Sequence, residues 1–196
     1  MKHKTKHETT AEERQLCWEF AGRLMRLLAN PQSDGNAAAA SLTSHGINRP
    51  MQTLAKLAEI TFCKWACLDY QKALNWEQEP DDGVDATFAS KQWDIKHTEH
   101  GSYLLWPYNK VLCNPNKKFD TFALVIGGPY EQEVIGWCTR HFFECNFISA
   151  DEIPGITNST PILHRDYLSD MTEALSTAAQ AIQYGKVAEY VMGKWP

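Results

Sequence analysis

Apolar residues at helical spacing mark two segments in the first half of the chain. Residues 11–29 place an apolar side chain every three or four positions, and residues 51–75 do the same. The stripes consist of Leu16, Phe20, Leu24, Leu27 and Leu28 in the first segment and of Leu54, Leu57, Ala58, Phe62, Trp65 and Ala66 in the second. We therefore predict an amphipathic helix in each segment. The polar residues 1–10 predict no regular structure.

The middle of the chain changes to a period of two, which is the repeat of a β-strand. The stretches VDATF (84–88) and QWDIKHT (92–98) alternate apolar and polar residues. Further strands are predicted in SYLLWPY (102–108) and TFALVIGG (121–128). In EVIGWCTRHFF (133–143) a strand is predicted that runs toward a short helix or turn, before a helical pattern returns at 163–192. Helices before and after a run of strands predict a mixed α/β fold.

The same pattern suggests how the chain is organised. We expect a core over residues 51–150. Residues 1–50 are expected to form an N-terminal tail and helical extension, and residues 151–196 a C-terminal helical segment packed on the core.

Composition narrows the class of protein. The chain has 196 residues, with 19 Lys and Arg against 24 Asp and Glu, so its formal net charge is −5. That charge argues against a protein that coats nucleic acid by charge alone. No apolar run approaches the roughly 20 residues that span a bilayer, and the N-terminus lacks the apolar core of a signal peptide. We expect a cytoplasmic protein with no membrane partner. Its six cysteines, which form no CxxC pair, are expected as small buried side chains. The alternative is an iron–sulfur cluster, although the cysteine spacings match no cluster motif.

Charged residues interrupt the strand pattern at one place. Alternation puts Asp94 and Lys96 on one face of their strand, opposite Trp93 and Ile95. If the preceding strand pairs with its apolar side aligned, Asp85 falls on the same face as Asp94. Two neighbouring carboxylates suit a hard divalent cation such as Mg²⁺. A lysine beside them can orient water or stabilise developing negative charge.

These residues carry a resemblance to a known family. The sequences GVD (83–85) and WDIK (93–96) resemble the motif of the PD-(D/E)xK nuclease superfamily, which has the restriction-endonuclease-like fold. The resemblance covers about residues 52–145. It implies a mixed sheet flanked by helices and a Mg²⁺-dependent nuclease acting on DNA. In this chain no proline directly precedes Asp85, and the nearest upstream is Pro80.

The resemblance also implies roles for individual residues. Asp85, Asp94 and Lys96 match the motif, and Glu59 matches the glutamate that members of the family often carry on the preceding helix. Asp85, Asp94, Glu59 and the backbone carbonyl of Ile95 would then bind Mg²⁺, for which Mn²⁺ is expected to substitute. Members of the family often pair subunits, so a homodimer is a further expectation.

Basic residues outside the motif are the expected contacts to DNA phosphates, namely Lys110, Lys117, Lys118 and Lys64. Two other functions stay open at this point. One is a nuclease-like protein that has lost catalysis and serves in binding or assembly. The other is an unrelated α/β interaction module, in which the charged residues would be surface residues far from one another.

Overall fold

The structure is a computed structural model that describes residues 6–28, 48–74, 76, 84–105, 118–153 and 160–174. Its described α-helices are α1 (Ala11–Leu28), α2 (Arg49–Trp65), α3 (Tyr70–Ala73) and α4 (Arg140–Asn146), and short 3₁₀ turns lie at Ala150–Glu152 and Arg165–Tyr167. Its strands are β1 (Lys6–Glu8), β2 (Ala86–Phe88), β3 (Lys91–Thr98), β4 (Tyr103–Leu105), β5 (Thr121–Gly127), β6 (Glu131–Thr139), β7 (Ile148–Ser149) and β8 (Pro161–His164). The predicted mixed α/β class is confirmed.

Two sheets organise the strands. The larger has the order β1-β6-β5-β3-β2, and the smaller has the order β4-β8-β7. In the larger sheet β3 and β5 run parallel, while the other neighbours are antiparallel. The predicted strand at 102–108 is therefore present as β4, but it belongs to the second sheet.

Local interactions explain where the two long helices begin and end. Thr10 and Glu13 each accept a hydrogen bond from the other's backbone N–H and so cap the start of α1. Helix α2 ends at Trp65, earlier than the predicted residue 75. Cys67 has a φ of 55°, and its N–H and that of Leu68 bond back to carbonyls in the last turn. This left-handed cap stops the helix, and α3 begins after it as a separate turn.

The larger sheet is buried on both faces. On one face Trp93 and Ile95 pack in a cluster with Leu57 and Phe62 of α2, and the rings of Phe62 and Trp93 have centroids 5.0 Å apart. On the other face Phe122 and Leu124 pack in a cluster that includes Phe143 of α4 and Leu163 of β8. The first cluster fixes α2 against β3, which positions the candidate site.

The two ends of the described chain differ from prediction. Lys6–Glu8 form a strand that pairs with β6, where no regular structure was expected. Pro161–His164 form β8 and Arg165–Tyr167 form a 3₁₀ turn, so the helix predicted from residue 163 is wrong there. The described α-helical residues of this segment begin at 171. The boundaries at residues 50 and 150 stay predictions, although β1 and α1 both contact the predicted core. Within the described ranges, no helix combines the length and apolar character needed to cross a membrane.

Candidate active site at the edge of strand β3

Asp85 lies where the short strand β2 gives way to its preceding loop. Ala86 pairs with Trp93, and the Asp85 backbone N–H donates to the Trp93 carbonyl at 2.8 Å. The Asp85 Oδ2 accepts a hydrogen bond of 2.6 Å from the Ile95 backbone N–H. The Asp85 carboxylate thus accepts the hydrogen bond that a backbone carbonyl would accept if β2 continued alongside β3. Because the N–H and C=O of one strand residue point to the same edge, the Ile95 carbonyl points toward this edge as well.

Asp94 and Lys96 form an ion pair next to this edge. Their side chains are two residues apart on one face of β3, and Lys96 Nζ lies 2.7 Å from Asp94 Oδ1. Asp94 is 6% exposed, while Lys96 is half-buried. Their neighbours on β5 are the buried residues Phe122 and Leu124. The pair is therefore a partly enclosed charged group in a mainly apolar surrounding.

Glu59 comes from α2, on the other side of the sheet. Its carboxylate pairs with Lys56 Nζ at 2.5 Å, and both side chains are nearly buried. Lys56 Nζ also lies 4.5 Å from the centre of the Phe20 ring. Sequence reasoning missed Lys56. The available signal was its position three residues before Glu59, which puts the two side chains on adjacent turns of one helix face.

The electrostatics show that these groups belong together. Burial raises the pKa of Asp85 well above its usual value, and the negative charges of Glu59 and then Asp94 raise it further. The Lys96 ammonium and the Ile95 N–H act in the opposite direction. Asp85 therefore senses one carboxylate from each side of the sheet, and the structure brings Glu59, Asp85, Asp94 and Lys96 into one electrostatic cluster.

Two further groups respond to the same cluster. Burial alone lowers the pKa of Lys56, but the Glu59 carboxylate and the more distant Asp85 outweigh it, so that this pKa is raised. Burial, together with Glu59 and Asp85, raises the pKa of the Cys63 thiol to about 12. Lys56 is therefore a charged partner of the cluster, whereas Cys63 is an uncharged residue beside it.

The donor set of the cluster consists of oxygens, which suit a hard cation. In the part of the chain that the structure describes, no group of three or more His, Cys, Asp or Glu side chains is placed to hold a metal ion. Mg²⁺ commonly takes only one or two protein carboxylates and completes its shell with water and phosphate oxygens. Asp85 and Asp94, with the Ile95 carbonyl at the same edge, fit that smaller requirement.

The four lysines expected to contact DNA differ in their surroundings. Lys64 Nζ lies 2.7 Å from Glu13 Oε1 and also donates to the Glu8 carbonyl, so it joins α2 to α1 and β1. Lys118 is exposed. Lys110 and Lys117 lie outside the described residues. The DNA contacts of all four lysines stay predictions.

Comparisons with protein families, curated proteins and solved structures find no match to this chain.

Proposed function

We propose that this protein is a metal-dependent nuclease that hydrolyses phosphodiester bonds in DNA. The observation that carries the proposal is the meeting of Asp85 and the Asp94–Lys96 ion pair at one edge of β3. The proposal includes a restriction-endonuclease-like arrangement of the core. It is supported by an acid just before β2 that hydrogen-bonds to β3 and by an acid–x–lysine pair on β3, with α2 packed against the other face of β3.

In this proposal Asp85, Asp94 and the Ile95 carbonyl hold Mg²⁺, and Mn²⁺ can replace it. The chemistry that the ion supplies at such a site is neutralisation of charge on the scissile phosphate and a lowered pKa of a bound water. Asp85 keeps its orientation through the Ile95 N–H. Glu59 adds negative charge that favours cation binding, and Lys56 holds Glu59 in place.

Lys96 has the most direct catalytic role. Its ammonium is held by Asp94 at 2.7 Å and is half-buried, so its position is defined while access from solvent is kept. From there it orients the attacking water by a hydrogen bond and stabilises the negative charge that develops on the phosphate. A lysine in a partly enclosed site is more effective in this role than a fully hydrated one, because water screens it less.

The test uses the purified full chain with single-stranded, duplex and branched DNA, and with RNA, in Mg²⁺ or Mn²⁺. We expect the wild-type chain to cleave DNA and EDTA to stop the cleavage. The Asp94→Asn and Lys96→Gln variants should not cleave DNA. Glu99→Gln is the matched control, because Glu99 is exposed just beyond the end of β3. Absence of cleavage of every substrate, or equal activity of Asp94→Asn and Glu99→Gln, would contradict the proposal.

The second candidate is a nuclease-like protein without catalysis that serves in binding or assembly. The observation in its favour is that Asp94 and Glu59 already pair with lysines at 2.7 and 2.5 Å. In such a protein the Lys96 and Lys56 ammonium groups neutralise the carboxylates in place of a metal cation, and Mn²⁺ does not bind. Calorimetry separates the two candidates, since Mn²⁺ binding that Asp85→Asn abolishes supports the nuclease.

A further inference from the structure

Three arginines gather where α1 ends and α2 begins. Arg23 and Arg26 on α1 and Arg49 on α2 line one concavity of about 450 Å³, together with Glu19. Arg23 and Arg26 are exposed, and Arg49 is half-buried. In a chain of net charge −5 this is a local concentration of positive charge. We call Arg23, Arg26, Arg49 and the adjacent Trp18 the arginine surface.

Arg49 is held in a defined orientation. Its Nε donates to the Trp18 carbonyl at 2.9 Å, and its guanidinium lies 4.0 Å from the centre of the Trp18 ring. The guanidinium also lies against Gly22, where an added Cβ would meet Nη2 at 2.6 Å. The absence of a side chain at Gly22 therefore lets Arg49 lie flat on α1. A guanidinium fixed in this way loses little rotamer freedom when it binds an anion.

Among the described residues that line the concavity, three arginines stand beside one carboxylate, that of Glu19. None of the ion pairs in the described ranges includes Arg23, Arg26 or Arg49. The lining residue Glu19 accepts a hydrogen bond from Gln15 through Oε1 at 2.7 Å. Arg26 lies in the last turn of α1, where it complements the helix dipole. Three guanidinium groups and the one Glu19 carboxylate leave an excess of two positive charges among the described lining residues.

The chemistry of the surface matches a chain of phosphates. Guanidinium groups bind phosphate oxygens in a bidentate manner, and Trp18 is 39% exposed beside them, as in surfaces that stack a base. Arg49 and Glu59 lie on the same helix ten residues apart, which corresponds to about 15 Å.

We propose that the arginine surface binds the phosphates of a DNA strand that also reaches the site at the edge of β3. This inference rests on the proposed nuclease function for the identity of the ligand. The surface then sets where the strand lies, while Asp85, Asp94 and Lys96 act on a bond farther along it.

The test compares two double variants that remove the same charge. Arg23→Gln with Arg26→Gln alters the surface, and Lys72→Gln with Arg165→Gln removes two exposed charges elsewhere. Binding of a fluorescent 20-nucleotide strand is measured by anisotropy in EDTA, over a series of salt concentrations. We expect the surface variant to bind several-fold more weakly and to lower the slope of log K against log salt by about 1 to 2. The control should keep the wild-type slope.

Equal losses in the two double variants would overturn the inference, because they would show a general effect of charge. No DNA binding by the wild-type chain would overturn it as well. Circular dichroism of both variants confirms that they fold. Cleavage is assayed separately with Mn²⁺, so the two proposals can fail independently. Binding that needs the arginines without any cleavage contradicts the nuclease, and cleavage with unchanged binding contradicts the arginine surface.

Discussion

The Asp85 carboxylate accepts a 2.6 Å hydrogen bond from the backbone N–H of Ile95, in the place where a neighbouring strand would continue. This one contact gives Asp85 two functions that can be separated. The carboxylate satisfies a backbone donor, which is a structural role. It also brings negative charge to the edge of β3, which is the role that cation binding requires.

Substitution of Asp85 should separate these roles. Asp85→Ala leaves the Ile95 N–H without its partner, and we expect a loss of about 1 to 3 kcal/mol in the free energy of unfolding. Asp85→Asn keeps an acceptor oxygen and removes the charge, so it should fold at least as stably as wild type at pH 7. Both variants should lose cleavage. Urea titrations and the cleavage assay check this, and a strongly destabilised Asp85→Asn would count against it.

The pH dependence of the same variant follows from the raised pKa of Asp85. Below the usual aspartate pKa of about 3.9, the carboxyl is protonated in both the folded and the unfolded state. Above it the unfolded chain ionises first, so the unfolded state is favoured increasingly until pH passes the raised folded pKa. We therefore expect wild type to lose stability relative to Asp85→Asn as pH rises from about 4. A stability difference that is independent of pH would contradict this assignment.

Removing one partner of the Lys56–Glu59 ion pair should lower the free energy of unfolding strongly. Replacing both partners together should change it little. Both side chains are nearly buried, and their charged atoms are 2.5 Å apart. Lys56→Met removes the ammonium that pairs with the nearly buried Glu59 carboxylate, and we expect a loss of about 3 to 5 kcal/mol. The double variant with Glu59→Leu should recover most of it. Urea titrations of the four members of the cycle measure the coupling, and strictly additive losses would show that the pair is well hydrated instead.

A glycine pair in the turn between β5 and β6 provides an internal comparison. Gly127 has a φ of 140°, and a Cβ there would collide with the Glu131 carbonyl, whereas nothing lies near a Cβ at Gly128. We expect Gly127→Ala to cost about 1 to 3 kcal/mol, and Gly128→Ala to leave stability unchanged or slightly raised. The Gly127 carbonyl also binds His97 at 2.8 Å. Thermal unfolding of both variants checks the expectation, and equal midpoints would refute it.

The elements that the sequence predicted correctly are those in which apolar and polar residues repeat with a regular period. Strands β2 and β3 lie where alternation put them, and the opposite faces of Trp93 and Asp94 follow from the same alternation. The prediction that the charged residues converge depended on strand pairing, and the electrostatic coupling of Asp85 with Asp94 agrees with it. The local sequence pattern was sufficient to predict this pairing because two consecutive strands joined by a short turn have few other ways to pair.

Other features depend on contacts that a local pattern does not contain. The end of α2 requires a left-handed Cys67, a conformation that Gly adopts far more readily than cysteine. Strand β1 exists because three polar residues pair with the distant strand β6. Lys56 joined the site because its ammonium lies over the Phe20 ring and pairs with Glu59. Each of these is determined by tertiary packing, so periodicity and motif could not reveal it.

The cysteines give a last prediction, because the expectation that all are buried is wrong. Of those described, Cys17, Cys63 and Cys138 are buried, and Cys67 and Cys145 are exposed. Burial is the main cause that raises the pKa of each buried thiol to about 12. Since the thiolate is the reactive form, iodoacetamide at pH 8 should modify Cys67 and Cys145 quickly in the native protein. The buried three should react only in urea, as peptide mass spectrometry can show. Rapid native labelling of Cys63 would mean that α2 does not pack on β3, and Glu59 would then lack its path to the site.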